Sequence, residues 1–186
     1  MTAADRNVLF AKFEELGIAA VTVEHAPVFT VEESKDLRDT LPGAHTKNLF
    51  VVDKDGRAAL IAAKDDSKVD LKHVATRLGF GRLSFGKPDR LAALLGVTPG
   101  SVTVFALIND PGGNVAVIVD EALIEAADVN FHPLENTATT RIASKISSAS
   151  SGRQATSPSS CGSRRWAEAS DRGTHAAYLV SPVIAL

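Results

Sequence analysis

A tight turn between two apolar runs constrains this chain more than any other feature. Leu49 to Val52 is short and apolar, Asp53-Lys54-Asp55-Gly56 closes it, and Arg57 to Ala63 returns. Runs of this length bounded by turn residues read as the two strands of a β-hairpin. Pro42-Gly43 marks a further turn just upstream. Lys47 then sits where a loop enters a sheet, with its ammonium free to face a cleft. A lysine so placed offers a compact positive charge to phosphate or ribose oxygens. The plainer alternative is a solvated lysine beside a strand.

The rest of the chain interleaves helices with strands. Val8, Leu9, Phe13 and Leu16 recur at helical spacing before Gly17, so the first element is an amphipathic helix with these four on its buried side. Ile18 to Val23 reads as a strand ending near His25. Thr30-Val31-Glu32-Glu33 has the form of a capping box opening a short helix. Val69, Leu71, Val74 and Leu78 give a helix stopped by Gly79, and Arg82 to Phe85 a short strand. Pro88 begins a helix that Gly96 ends. Val102 to Leu107 and Val115 to Val119 read as strands around the turn Asp110-Pro111-Gly112-Gly113-Asn114. A short helix near Glu121-Ala122-Leu123 precedes a strand at Val129 to Phe131. Several strand pairs are joined by tight turns, so the expected class is α/β with a mixed sheet and surrounding helices.

Composition narrows the function. The net charge of −2 speaks against broad, sequence-independent binding of DNA or RNA. It is compatible with recognition of one RNA end, where shape and a few cations suffice. A single cysteine, Cys161, excludes an internal disulfide and offers no zinc cluster, so no metal or other cofactor is expected. No apolar run approaches the ~20 residues of a membrane span, and no signal-peptide pattern is seen, so the expected setting is the cytoplasm. Gly-rich phosphate loops and the G-x-S-x-G elbow are absent from the sequence.

Four segments carry a resemblance. His45-Thr46-Lys47-Asn48-Leu49-Phe50, Gly86-Lys87-Pro88-Asp89-Arg90-Leu91, Gly96 to Asp110, and Asn130 to Thr140 occur in that order. Together they resemble the YbaK/prolyl-tRNA editing family, the free-standing relatives of the insertion domain of prolyl-tRNA synthetase. The resemblance covers about three quarters of the chain. It implies the family's α/β fold over 1–143 and hydrolysis of the ester that joins a wrong amino acid to a transfer RNA. The partner it implies is the acceptor end of mischarged tRNA for proline, with prolyl-tRNA synthetase as a further candidate. The form of the first word resembles the alanine-editing branch, so alanyl-tRNA for proline is the expected substrate. Cysteinyl-tRNA for proline, or a non-catalytic tRNA-binding module, are the alternatives.

Such an ester can be cleaved by a positioned water, a polarised carbonyl and a selective pocket. The sequence offers no serine or cysteine nucleophile beside a base, which fits a positioning enzyme assisted by the substrate's own ribose hydroxyl. Lys47 resembles the family's essential lysine, holding the terminal adenosine, with Asn48 as an orienting amide and His45 opening the word. Gly100 and Ser101 resemble a loop that presents backbone groups to the aminoacyl side chain; a turn feeding a core strand is the other reading. The family's usual Gly-x-x-x-Pro ends here in Val104. His132, in Phe131-His132-Pro133, either exchanges a proton near neutral pH or braces its loop. His25 is a weaker candidate, and Asn136 and Thr137 are expected to satisfy backbone groups.

The end of the chain breaks the pattern. Residues 144–186 hold 11 of the 15 serines and only Glu168 and Asp171 as acids, a composition that does not build a core. Either a shifted reading frame near Ala143 or a disordered interaction tail accounts for it.

Overall fold

The computed structural model describes residues 3–27 and 41–144. The helix read at Thr30 to Glu33 and the serine-rich tail beyond Ser144 lie outside these residues. Helix α1 (Arg6–Glu15) starts at Asp5, whose carboxylate accepts from the N–H groups of Asn7 and Val8. Of the four apolar residues assigned to its buried side, only Leu9 and Phe13 are buried; Val8 is 51% and Leu16 43% exposed. The buried stripe is therefore one i, i+4 pair wide, and Phe13 meets the edge of Phe105 with ring centroids 5.0 Å apart.

Seven strands follow: β1 (Ala20–Glu24), β2 (Ala44–Val52), β3 (Ala58–Lys64), β4 (Ser84–Phe85), β5 (Val115–Val119), β6 (Asp128–Phe131) and β7 (Ala138–Ala143). They form one sheet in the order β1-β7-β6-β2-β3-β5, with β4 paired to β2 beside this path. The β2–β6 and β3–β5 pairs are parallel and the others antiparallel. The sheet is mixed, as the turn pattern requires, and helices α2 (Leu71–Leu78), α3 (Pro88–Leu95) and α4 (Glu121–Glu125) connect its strands.

Alternation along β2 divides the interior in two. Phe50 faces the larger cluster, with Leu60, Leu91, Leu95, Phe105 and Phe131. Val51 faces the smaller one, with Ile61, Val74, Leu83 and Ile118 under α2. Both α2 and α3 stop at a left-handed glycine, Gly79 (φ 63°) and Gly96 (φ 66°), conformations that favour residues without a Cβ.

Two elements differ from the sequence reading. The strand expected over Val102 to Leu107 is instead a 3-10 helix, Val104–Asn109. Thr103 caps it, its hydroxyl accepting from the Phe105 N–H at 3.4 Å. Val104, Phe105 and Ala106 are all buried, and an apolar run enclosed on every side carries no period to tell helix from strand. The second is β7, which the sequence reading does not contain. It bridges β1 and β6, and Thr140 and Thr22 share a hydroxyl hydrogen bond of 2.8 Å across the β1–β7 ladder.

The hairpin is secured by Asp53. Its buried carboxylate accepts from the N–H groups of Asp55 and Arg57, from Arg57 Nε at 2.8 Å and from the Gly81 N–H. Burial pushes this carboxyl up, but the Arg57 guanidinium and the three backbone N–H groups outweigh it and hold it at about 2.

Candidate functional site

Lys47 does not stand at a loop-to-sheet junction. The strand begins three residues earlier, at Ala44, and Lys47 pairs with Ala63 inside the hairpin ladder. By alternation it shares the sheet face of Leu49 and Val51. Its ammonium is not free either. Nζ donates to the Asp65 carbonyl at 3.0 Å and to the Ser67 carbonyl. The turn after β3 thus fixes the position of the charge through neutral acceptors, and two of three donors are used.

The sheet opens beside this residue. One edge of β2 is paired to β3 from Thr46 to Val52. The other edge pairs with β6 only at Ala44 and His45, and with β4 only at Val51 and Val52. Among the described residues no strand lies against that edge between them. Lys47 and Asn48 stand at this gap, where β6 and β4 part.

Asn48 projects to the opposite face from Lys47. Its Nδ2 donates weakly to the Thr46 hydroxyl at 3.4 Å, while its Oδ1 is buried with no partner among the described residues. A second amide has the same property. Asn130, only 3% exposed, donates from Nδ2 to the Pro42 carbonyl at 3.1 Å and leaves Oδ1 buried without a partner. The two amide oxygens are therefore acceptors that the described protein does not use, an uncommon situation for buried polar atoms. Asn130 opens the fourth segment of the resemblance but is not among the site residues read from the sequence. Its signal was there, a polar residue between Val129 and Phe131 in an apolar strand.

His45 lies opposite Asn130 in the β2–β6 register, and its Nε2 lies 3.1 Å from the Leu41 carbonyl. It thus faces the start of its own strand. Gly100 adopts φ 93°, where a side chain would be strained. Ser101 is buried and its N–H donates to the Thr98 carbonyl. Both belong to the loop between α3 and the 3-10 helix, where Val102 packs against the cluster that holds Phe50 and Phe131.

His132 follows β6, and its Nδ1 is 3.0 Å from the Ala138 carbonyl. A carbonyl only accepts, so Nδ1 carries the proton and, in the neutral ring, Nε2 is the free acceptor. Burial pushes its pKa below the ordinary 6.5, and charge on His25 pushes the same way. The structure thus places His45, Lys47, Asn48 and Asn130 on the neighbouring strands β2 and β6, with Lys47 and Asn48 on opposite faces of the sheet. It sets His132 beside His25 at the end of the sheet, and Gly100 with Ser101 in a separate loop.

A groove of empty volume ≈ 520 Å³, open to solvent, runs beside the Ser67 turn between α2 and the sheet. Its floor is Ile61, Val74 and Ile118, and the carboxylates on its rim are Asp70 and Asp120. Both cap helices: Asp70 accepts from Lys72 and His73, and Asp120 from Ala122. Their role is accounted for by local structure.

Comparison with known proteins fits this architecture. The aminoacyl-tRNA editing domain family matches residues 25–146. The prolyl-tRNA editing protein ProX of Acetoanaerobium sticklandii is 37% identical over 135 residues, which cover 72% of this chain and 82% of that protein. The prolyl-tRNA synthetase associated domain-containing protein 1 of Xenopus laevis is 38% identical over 139 residues, again 72% and 82% of the two chains. A solved structure of a candidate trans-editing enzyme for prolyl tRNA synthetase superposes with a TM-score of 0.58 at 21% identity, over 73% of this chain and 84% of that one; at that identity the likeness concerns the fold. The chain belongs to the aminoacyl-tRNA editing domain family, a family of aminoacyl-tRNA deacylases.

Proposed function

We propose that this deacylase hydrolyses alanyl-tRNA for proline, releasing alanine and restoring the free 3′ end. The observation that carries the reading is the anchored ammonium of Lys47. Two carbonyls of the turn after β3 hold it, and its third N–H, unused among the described residues, is left for an oxygen of the substrate. A cation held by main-chain oxygens has its position set for the terminal phosphate or ribose before substrate arrives. The unpartnered Oδ1 of Asn48 accepts a donor that the described residues do not provide, such as a substrate hydroxyl or ammonium. Water then attacks the ester carbonyl and the ribose oxygen leaves with a proton. The loop at Gly100 and Ser101, His45, and the neutral ring of His132 are assigned to binding the aminoacyl adenosine.

The choice of alanine rests on the His-Thr-Lys-Asn-Leu-Phe word. The partner is the acceptor end of tRNA for proline, with prolyl-tRNA synthetase as the protein that supplies the mischarged product. The test is incubation of the protein with alanyl-, cysteinyl- and prolyl-tRNA for proline, charged separately. Release of alanine well ahead of the other two supports the reading. Faster release of cysteine moves the chain to the other branch, and no release of any would mark a binding module.

A further inference from the structure

The most exposed large apolar side chain described is Phe85, 68% exposed in the two-residue strand β4. Its backbone is nonetheless held firmly. Phe85 is registered against Val51, and the Gly86 N–H donates to the Phe50 carbonyl at 2.9 Å. Gly86 also lies flat against the Phe50 ring, where a Cβ would collide. A rigid mount thus presents an aromatic face to solvent, where nothing in the core uses it.

The charges around it are of one dominant sign. Lys87 is exposed two residues on, and Arg90 reaches across to the hairpin turn, its Nη2 donating to the Gly56 carbonyl at 3.3 Å. The stem of Lys54 runs past Gly81, which leads into the strand. None of these three cations has an ion-pair partner among the described residues, although Asp89 shares the surface. The chain as a whole carries −2, so the patch stands out against its background.

Cross-strand partners share a sheet face, so Phe85 lies on the face of Val51, Leu49 and Lys47, exposed at the β4 margin where the cover of α2 over Val51 ends. Lys47 and Val51 are four positions apart along β2, about 13 Å of backbone at the usual ~3.3 Å rise. Stacked nucleotides rise ~3.4 Å each, so the interval holds about four of them, and fewer when the strand is extended. Exposed aromatics flanked by cations are stacking platforms for unpaired bases. We propose that Phe85, with Lys54, Lys87 and Arg90, forms a platform for the unpaired nucleotides that precede the aminoacylated adenosine. The inference rests on the proposed deacylation at Lys47 and adds a second contact that the small end of the substrate does not reach.

Two measurements on the full chain test it. The first is equilibrium binding of uncharged tRNA for proline at several salt concentrations. The second is single-turnover hydrolysis of alanyl-tRNA beside the alanyl ester of adenosine, which lacks upstream nucleotides. Phe85→Ala should weaken tRNA binding about tenfold. Its loss of hydrolysis on alanyl-tRNA should exceed its loss on alanyl-adenosine by a similar factor, and Phe85→Trp should restore both. Lys87→Ala should lower the slope of binding against salt by about one contact. The platform is overturned if Phe85→Ala binds tRNA as the parent does, if it loses both substrates equally, or if the parent binds no tRNA. If the parent binds tRNA through Phe85 yet hydrolyses neither ester, the platform stands and the deacylation at Lys47 falls.

Discussion

His25 and His132 face each other across the end of the sheet with ring centroids 6.2 Å apart. Each sets a ring nitrogen against a carbonyl, His25 Nδ1 on Ala26 at 2.8 Å and His132 Nδ1 on Ala138 at 3.0 Å. The Nε2 of His25 then takes the Thr139 hydroxyl at 2.9 Å. Burial lowers the pKa of His132 from 6.5. The unfolded chain therefore binds a proton more readily than the folded one. The stabilisation from a neutral His132 is complete above the unfolded value and is lost as pH falls through the folded value. Melts between pH 5 and 8 should show stability declining below about 6.5, the ordinary histidine value. His132→Gln should flatten that part of the profile; an unchanged profile would assign the slope to other groups.

Asp53 answers to pH much lower. With its carboxyl held at about 2 by Arg57 and backbone N–H groups, its contribution is complete above the ordinary aspartate range and is lost only as pH falls through the folded value. Asp53→Asn keeps the shape of the carboxylate but removes the charge and places an NH2 against donors. The melting temperature should fall by several degrees at pH 7, and the gap between variant and parent should narrow in strong acid. An equal gap at every pH would mean that shape rather than charge secures the turn.

Gly86 tests the close approach beneath β4. Any Cβ there meets the ring of Phe50, which is itself buried and has little room to withdraw. Gly86→Ala should therefore cost about 1–3 kcal/mol, the range for forcing an extra carbon into a packed interior. A change under about 0.5 kcal/mol in denaturant titration would show that the ring gives way.

Val104→Pro tests the family's usual residue at this place. Val104 opens the 3-10 helix, and Thr103 before it is extended (φ −153°, ψ 154°). Proline is suited to the first position of a helix and to following an extended residue. The variant should melt no lower than the parent, with about 0.5 kcal/mol of stability gained by restricting the unfolded chain. The stiffer loop should raise the ratio of alanyl- to seryl-tRNA hydrolysis. Equal ratios would separate position 104 from selectivity.

The hairpin, the two glycine-stopped helices and the mixed sheet were legible because turn residues and periodic apolar positions coincide there. β7 was not, since Ala-Thr-Thr-Arg-Ile-Ala is stabilised by its two neighbouring strands rather than by an apolar period of its own. The 3-10 helix is not legible in the sequence, because burial on all sides erases periodicity. Lys47 was recognisable from the word around it, but its anchoring by Asp65 and Ser67 was not, because main-chain acceptors leave no mark in composition. Asn130 was visible as a polar interruption, and its partnerless oxygen emerges only from the packing.

The anchoring of Lys47 also changes what its removal should do. Lys47→Ala deletes two hydrogen bonds from a charged donor, so the fold should lose about 1–3 kcal/mol yet remain cooperative. Lys47→Arg should keep charge without the compact ammonium geometry. Single-turnover hydrolysis of alanyl-tRNA for proline by the parent and both variants, beside their melts, tests the account most directly. The account predicts that Lys47→Ala loses at least about a hundredfold in rate, the scale of removing one preorganised charge-stabilising donor. It predicts that Lys47→Arg recovers little of that loss while both proteins stay folded. Hydrolysis by folded Lys47→Ala at the parent's rate would contradict it.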